Sequence, residues 1–233
     1  MPDIPILTNA YEGIPEIDRG RIPADQMAAF LHVSQLLAEL SLYERRFLLA
    51  VYLYEYCQTA GWELGENDWQ KLEWSLWTTG GWQQIAARDG ALTIYHFGRA
   101  IEGLRESFRP CPTLSDQVDY DKIRQAYKDF KSAFPHFIEI RAAVAHVADF
   151  SGTAREKLKH SVKGIFKTKW FSSPDPEAVT WLPGNMNGHT YAVTFKGNVY
   201  TYDLSLENAE KLRGIKLQIF SALEAATISK PTE

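Results

Sequence analysis

The chain has 233 residues, of which 45% are hydrophobic and 23% charged, so it is long enough to bury a substantial core. Its formal net charge of −4 excludes a protein that wraps nucleic acid over its whole surface, but not one with a local basic patch. The two cysteines, Cys57 and Cys111, exclude a disulfide framework and a zinc cluster, and no glycine-rich phosphate loop is present. We therefore expect neither a metal nor a cofactor.

The N-terminal segment, residues 1–23, is rich in proline and glycine and predicts an extended arm that lies on the body of the protein or on a partner. It lacks the basic-then-apolar pattern of a signal peptide. No apolar run approaches the ~18 residues of a transmembrane helix. We therefore expect a cytoplasmic protein that does not enter a membrane.

Helical periodicity begins near Ala24, and Ser41 with Glu44 predicts a capping box that starts a second helix over 42–59. Gly61 and Gly65 mark the predicted end of this helix. Five of the seven tryptophans fall within 62–82 at mostly helical spacing, which favours helix packing over an exposed base-stacking platform. After a predicted break at 78–81, the longest helix is expected over 82–108. Its buried stripe is Ile94, Phe97, Ile101, Leu104 and Phe108.

Polar side chains follow one edge of this predicted helix. Asp89 and His96 are seven residues apart and so lie within about 20° of each other. Arg88 lies beside them, and Gly90 indicates that another backbone or a ligand approaches the helix closely. Two interpretations stay open: a buried polar network that joins two helices, or a set of groups that positions a phosphate or pairs with Arg141.

A further helix is expected over 121–134, and the next, over 136–149, contains Arg141 and His146 within an otherwise small and apolar run. Five positions correspond to about 140° around a helix, so one straight helix does not aim both groups at one point. Either the helix is irregular, or a second element or subunit completes the site. The ordinary alternative is an arginine in a structural ion pair and a histidine at a polar edge, on the helix face that it shares with Glu139 and Asp149.

Arg141, four intervening residues and His146 on a late helix resemble the signature of the HEPN superfamily. The segment ARDGALTIYHFGRAIEGL at 87–104 and the hairpin-plus-helix tail are also similar to HEPN-like bacterial proteins. The resemblance spans 24–227. It implies a helical bundle, a metal-independent RNase that is often a toxin or phage-defence protein, and a homodimer whose cleft lies across a two-fold axis. Many active members have a polar residue directly after the arginine, where this chain has Ala142.

The segment 155–169 is strongly basic, with six basic residues and one acidic residue. Arg155, Lys157, Lys159 and Lys163 follow directly after the helix that carries Arg141 and His146. A cluster of cations there is suited to hold an RNA strand. A solvated surface helix is an equally good interpretation.

The last part of the chain is not predicted to be helical throughout, unlike the part before it. Residues 171–188 predict a loop. Gly197-Asn198 predicts a two-residue turn that pairs Phe195 with Tyr200, Val193 with Tyr202 and Tyr191 with Leu204. Ser205 then caps a final helix. The predicted fold is mainly α: a helical bundle of HEPN type over 24–170, with the C-terminal β-hairpin and final helix of 189–233 packed on it as part of the same domain.

The resulting functional prediction is a HEPN-like metal-independent endoribonuclease that uses Arg141 and His146 at a dimer cleft, supported by Arg88, Asp89 and His96. RNA and a second copy of the chain are the expected partners, with an antitoxin or another protein partner where the protein is a toxin. The alternative is a non-catalytic helical module that binds proteins or nucleotides. Ala142 favours this alternative, as does an ion pair of Arg141 with Asp89.

Overall fold

The computed structural model describes residues 13–60 and 69–228, and for residues 60 and 69–76 the backbone only. Most of this chain is helical, which confirms a mainly α protein. The helices are α1 (Met27–Ala60), α2 (Trp69–Ser107), α3 (Pro112–Ser115), α4 (Tyr120–Ala133), α5 (Phe137–Ala145), α6 (Val147–Ser151), α7 (Ala154–His160) and α8 (Leu206–Ser221). The strands are β1 (Val162–Lys163), β2 (Phe166–Lys167), β3 (Ser172–Ser173), β4 (Val179–Thr180), β5 (Asn185–Asn187), β6 (Thr190–Phe195) and β7 (Asn198–Asp203).

Helix α1 is continuous where two helices were predicted. Ser41 is buried inside it and does not act as an N-cap. The reason is that the buried stripe keeps its helical phase through this point, so ending the helix would expose it. The stripe consists of Leu37, Leu40, Phe47, Val51 and Tyr54. The predicted end of this helix at Gly61 and Gly65 lies outside the described residues.

Helix α2 is also longer than predicted, because Thr78–Gly81 lies within it and does not interrupt it. A glycine inside a helix costs only about 1 kcal/mol relative to alanine and does not by itself end a helix. Gly80 and Gly81 have no other atoms within 4 Å of the position of a Cβ, so no packing demand forces a turn there. Of the five clustered tryptophans, Trp62 and the side chains of Trp69 and Trp74 lie outside the described residues. Trp77 and Trp82 are exposed.

The chain divides into two compact units. In the described chain, the first unit consists of 47–60, 69–95 and 136–208, and the second of 13–46, 96–135 and 209–228. The first unit contains all seven strands and the helices α5, α6 and α7. The second contains α3 and α4, whose predicted counterparts were a loop and a helix over 121–134.

Aromatic rings and one ion pair organise the second unit. Phe97 of α2 stacks on Phe130 of α4 with ring centroids 5.8 Å apart. Lys216 of α8 and Glu44 of α1 form an ion pair at 2.9 Å, with side chains 11% and 13% exposed. Residues 13–23 of the predicted arm lie against the C-terminal segment of this unit, where Ile17 is buried. Ile17 forms a β-bridge with Thr227, and short 3-10 helices at Arg19–Arg21 and Ala24–Gln26 follow.

The first unit contains an antiparallel sheet in the order β5-β6-β7. Strands β6 and β7 pair in a register two residues away from the predicted one: Phe195 lies opposite Asn198, Val193 opposite Tyr200 and Tyr191 opposite Tyr202. The turn residues are Lys196 and Gly197, with φ of 49° and 79°, as a type I′ turn requires. A shift of two residues preserves the faces of the strands, so Tyr191, Val193 and Phe195 still share one face, although both faces of β6 are buried.

The loop predicted over 171–188 contains three short strands, β3, β4 and β5. The basic segment is also not a single helix: α7 ends at His160, and β1 and β2 follow. Strand β1 pairs with β4 and β2 with β3, so residues 162–181 form one antiparallel hairpin with a bulge at 174–178, here called the basic hairpin. Gly164, with φ of +77°, supplies the left-handed residue between β1 and β2.

Candidate functional site

Arg141 lies on α5 in the first unit and is half-buried. Its guanidinium carbon lies 5.0 Å from the centroid of the Tyr95 ring, and that ring lies 6.2 Å from the Phe137 ring. No carboxylate in the described chain forms an ion pair with Arg141, so the pairing with Asp89 considered above is not made. An arginine on an aromatic face keeps its charge and most of its N–H donors for another anion.

His146 lies at a break in the predicted 136–149 helix. It is the residue between α5 and α6, and its φ of −114° and ψ of 20° lie outside the helical region. Of the two possibilities considered above, the irregular helix is therefore the observed one. The peptide N–H of His146 donates to the Ala142 carbonyl at 3.2 Å, and its own carbonyl accepts from Phe150 N–H at 3.1 Å. The backbone of the break is thus held on both sides.

The His146 side chain is exposed and has a carboxylate beside it. Its Nδ1 lies 3.1 Å from Oδ2 of Asp149, one turn further on. The imidazole is 48% exposed and the carboxylate 75%. A carboxylate on Nδ1 favours the tautomer that carries its proton there, which leaves Nε2 as the basic nitrogen. Asp149 was noted in the sequence only as a neighbour on the same helix face, and the structure adds the contact.

A stack of three rings holds α6 in place. Phe150 lies with its ring centroid 3.9 Å from that of His160 on α7 and 5.4 Å from that of Phe195 on β6. His160 is buried, and its Nδ1 accepts a hydrogen bond from the Lys196 N–H at 3.3 Å. Burial, reinforced by the nearby Lys159, lowers the pKa of His160 below its ordinary value. A neutral His160 therefore fixes the helix that begins after His146.

Each of the predicted supporting residues has other neighbours in the structure. Arg88 and Asp89 belong to the first unit and lie near the hydroxyls of the β6–β7 pair. Burial raises the pKa of Tyr191, and Arg88 partly offsets this effect. Burial raises the pKa of Tyr202 well above its ordinary value, with further contributions from Tyr191 and Asp89. His96, the last of the predicted supporting residues, belongs to the second unit. Its ring stacks on that of Tyr43, with the centroids 5.5 Å apart.

The four basic residues predicted to bind RNA are all exposed. Arg155, Lys157 and Lys159 lie on α7, and Lys163 ends β1. Lys159 lies 3.5 Å from the Glu156 carboxylate. Lys157 extends over the Trp181 ring, with Nζ 5.0 Å from its centroid. This tryptophan contact could not be predicted from the sequence, because it depends on the folding of the basic hairpin.

A separate cleft of about 520 Å³ lies in the second unit, and neither Arg141 nor His146 lines it. Glu102, one of its lining residues, pairs with Arg99 and accepts a hydrogen bond from the Tyr127 hydroxyl at 2.5 Å. Burial and this carboxylate raise the pKa of Tyr127 to about 12, so the phenol stays protonated at neutral pH. Since Glu102 already neutralises a cleft arginine, we do not assign an anion site here.

Among the described residues, no three His, Cys, Asp or Glu side chains converge as metal ligands would. In the same residues, no helix combines the length and the apolar character needed to cross a bilayer. Comparison with known proteins gave no match to a family model, to a curated protein or to a solved structure.

Proposed function

We propose that the protein is a metal-independent endoribonuclease of the HEPN type, in which His146 transfers protons and Arg141 binds the scissile phosphate. The observation that carries this proposal is the exposed His146 imidazole with Asp149 at its Nδ1. It occurs in the same compact unit as Arg141 and the basic helix α7.

The chemistry needs few groups, because RNA supplies its own nucleophile. The basic Nε2 of His146 takes the proton of a 2′-hydroxyl, whose oxygen then attacks the adjacent phosphorus. The bond to the 5′-oxygen breaks as the protonated His146 imidazole returns a proton to that oxygen, and a 2′,3′-cyclic phosphate and a 5′-hydroxyl result. Arg141 donates hydrogen bonds to a non-bridging phosphate oxygen and stabilises the charge that develops there.

The proposed site is shared between two copies of the chain. The resemblance to HEPN proteins implies a cleft across a two-fold axis, in which a second α5 near the first would let the arginine of one protomer meet the histidine of its partner. Ile138, Ala142 and Ala145 follow the i, i+4, i+7 spacing on α5, and Ile138 is 51% exposed. These small and apolar residues permit the close approach of two helices. In the proposed dimer, the small side chain of Ala142 lets the two α5 helices approach each other closely.

The dimer is tested by light scattering on the wild-type protein and on Ile138→Glu. We expect a mass of two chains for the wild type and a shift toward one chain for the variant. A wild-type protein that stays monomeric at micromolar concentration would remove the basis for a shared site.

Cleavage is tested with single-stranded and transfer RNA in excess EDTA. We expect His146→Ala and Arg141→Ala each to lower the rate at least ~10²-fold, the scale for one positioned acid–base or charge-stabilising group. His136→Ala is the matched control, because His136 is also exposed and precedes the same helix. Products that end in 2′,3′-cyclic phosphate support the mechanism. Intact RNA, or cleavage that both variants retain, contradicts it.

The toxin or phage-defence role follows from cleavage of cellular RNA. We expect expression of the wild-type protein to slow bacterial growth and expression of His146→Ala not to. Equal growth of both strains, at equal protein levels, would argue against a toxin.

A non-catalytic protein-interaction module is the second candidate. Leu49, Leu53 and Tyr56 favour it, since they are exposed at i, i+4, i+7 spacing on α1 within the first unit. Such a stripe is typical of a helix that packs on a partner. If the protein leaves every RNA intact, this candidate replaces the RNase, and nucleotide binding without cleavage would then show as a thermal shift.

A further inference from the structure

Trp170 is presented at the tip of the basic hairpin. It lies between β2 and β3 and is 50% exposed, with Lys169 Nζ 5.3 Å from the centroid of its ring. The tip is closed by three hydrogen bonds: Thr168 N–H and Thr168 Oγ1 donate to the Phe171 carbonyl at 2.7 and 2.9 Å, and Phe171 N–H donates to Thr168 Oγ1 at 2.9 Å. The side chain of Asn187 on β5 adds a bond to the Trp170 carbonyl at 3.5 Å. The turn therefore holds the indole outside the core.

Trp181 is held at the other end of the same hairpin. It follows β4, and the next residue is bonded to β6 in both directions: Leu182 N–H donates to Thr194 Oγ1 at 3.0 Å, and Thr194 N–H donates to the Leu182 carbonyl at 2.9 Å. Lys157 Nζ lies over the Trp181 ring. The basic hairpin thus has a tryptophan with a lysine on its ring at each end.

The two lysines are available to an anion. Among the described residues, neither Lys157 nor Lys169 forms an ion pair with a carboxylate, and an aromatic ring is a weaker partner than a phosphate. Lys163 and Lys167 on the strands between them are exposed as well. The acidic side chains of the hairpin, Asp175 and Glu177, lie in the bulge, where Glu177 N–H donates to Asp175 Oδ1 at 2.9 Å. Cations therefore outnumber carboxylates along the hairpin.

We propose that Lys157, Lys169, Trp170 and Trp181, here called the tryptophan–lysine surface, bind single-stranded RNA. The indoles stack on unpaired bases and the ammonium groups contact the phosphates. Only unpaired bases expose their faces for stacking, so the surface selects single strands over duplexes. Trp170 lies at the tip between β2 and β3 and Trp181 follows β4 at the other end of the hairpin, so the two indoles would contact different bases of one strand. This inference rests on the proposed function, to which it adds the substrate class.

Binding is measured separately from cleavage by using a probe that cannot be cleaved. Fluorescence anisotropy of a labelled 2′-O-methyl oligouridylate reports the affinity of the full-length protein, because a blocked 2′-oxygen excludes the proposed reaction. We expect Trp170→Ala and Trp181→Ala each to weaken binding by about 5- to 100-fold, the effect of losing one base–aromatic stack. Trp77→Ala is the matched control: Trp77 is 77% exposed but lies on α2, outside the hairpin.

Two further measurements identify what the surface recognises. We expect Lys169→Gln to reduce the slope of log K against log salt by about 0.7, the value for one phosphate contact on a single strand. A duplex of the same length and modification is expected to bind more weakly than the single strand. Trp170→Phe is expected to retain most of the affinity, since a phenyl ring also stacks.

The outcomes separate this inference from the proposed RNase. If the tryptophan variants bind the probe like the wild type, or if Trp77→Ala loses as much affinity, the tryptophan–lysine surface is wrong, whatever the cleavage assay gives. If the duplex binds as tightly as the single strand, stacking is wrong and the site is one of charge alone. If the tryptophan variants weaken binding but RNA stays intact, the surface stands and the RNase proposal fails.

Discussion

Gly90 on α2 is the position where a single added methyl group has the most direct consequence. A Cβ at this position would lie 2.7 Å from the Tyr202 hydroxyl and 2.9 Å from Cδ1 of Leu204, with Cε2 of Phe47 at 3.5 Å. The first two distances are shorter than real Cβ contacts, so Tyr202 and Leu204 have to move. Both are buried, and Tyr202 is held by a hydrogen bond from its hydroxyl to the Ala87 carbonyl.

The expected effect of Gly90→Ala is a loss of about 3 kcal/mol in the free energy of unfolding. Overpacking costs about 1–3 kcal/mol. Loss of the Tyr202 hydrogen bond, with two buried polar groups left unpaired, costs about 1–3 kcal/mol more. The gain in helix propensity from glycine to alanine returns only about 1 kcal/mol.

The assay is urea unfolding followed by far-ultraviolet circular dichroism, with midpoints compared at equal slope. Gly81→Ala is the control, because Gly81 lies in the same helix with nothing within 4 Å of its Cβ position. We expect this variant to be more stable than the wild type by about 0.5–1 kcal/mol. The reasoning is refuted if Gly90→Ala is as stable as the wild type, or if both alanines destabilise alike.

Three further predictions concern charged groups. Lys216→Met should destabilise by about 3 kcal/mol because it leaves the largely buried Glu44 carboxylate unpaired, and Glu44→Leu in the same chain should recover most of the loss in urea unfolding. Because burial lowers the pKa of His160 in the folded state, the unfolded chain binds more protons. Stability should therefore be lost as the pH falls below about 6.5 toward the lower folded value, and less so in His160→Phe; equal pH profiles would contradict this. If the RNase proposal holds, Asp149→Asn should lower cleavage less than His146→Ala, and an unchanged rate would show that the carboxylate does not orient the imidazole.

The parts of the fold that follow local rules are predictable from sequence. The helix expected over 121–134 differs from α4 by one residue at each end, since Asp119 accepts from the N–H groups of its first turn and its apolar spacing is regular. The final helix begins after Ser205, whose hydroxyl accepts from Asn208 N–H at 3.3 Å. Gly90 was expected to have a close neighbour, although the neighbours are side chains and not backbone.

The errors arise where a local signal competes with packing. Ser41 fits a capping box, yet the buried stripe of α1 continues through it. Gly197-Asn198 fits a turn, yet the turn at Lys196 places Tyr191 opposite Tyr202, with ring centroids 5.7 Å apart. The break at His146 could not be predicted from the sequence, because no proline or glycine lies at this point of the helix. It accompanies the stack of Phe150 on His160, which joins α6 to α7 and depends on a tertiary contact that sequence periodicity does not report.

The pairing of Ile17 with Thr227 has a practical consequence for work with this protein. Asp18 N–H donates to the Ala226 carbonyl at 3.1 Å and Ile228 N–H donates to the Glu16 carbonyl at 2.9 Å, so the two ends of the described chain run side by side. Fluorescent labels on residues 16 and 228 would therefore exchange energy efficiently in the native state and lose that exchange when the second unit opens. For the same reason a short linker could join these ends, with new termini in the exposed 174–178 bulge, to give a circularly permuted chain.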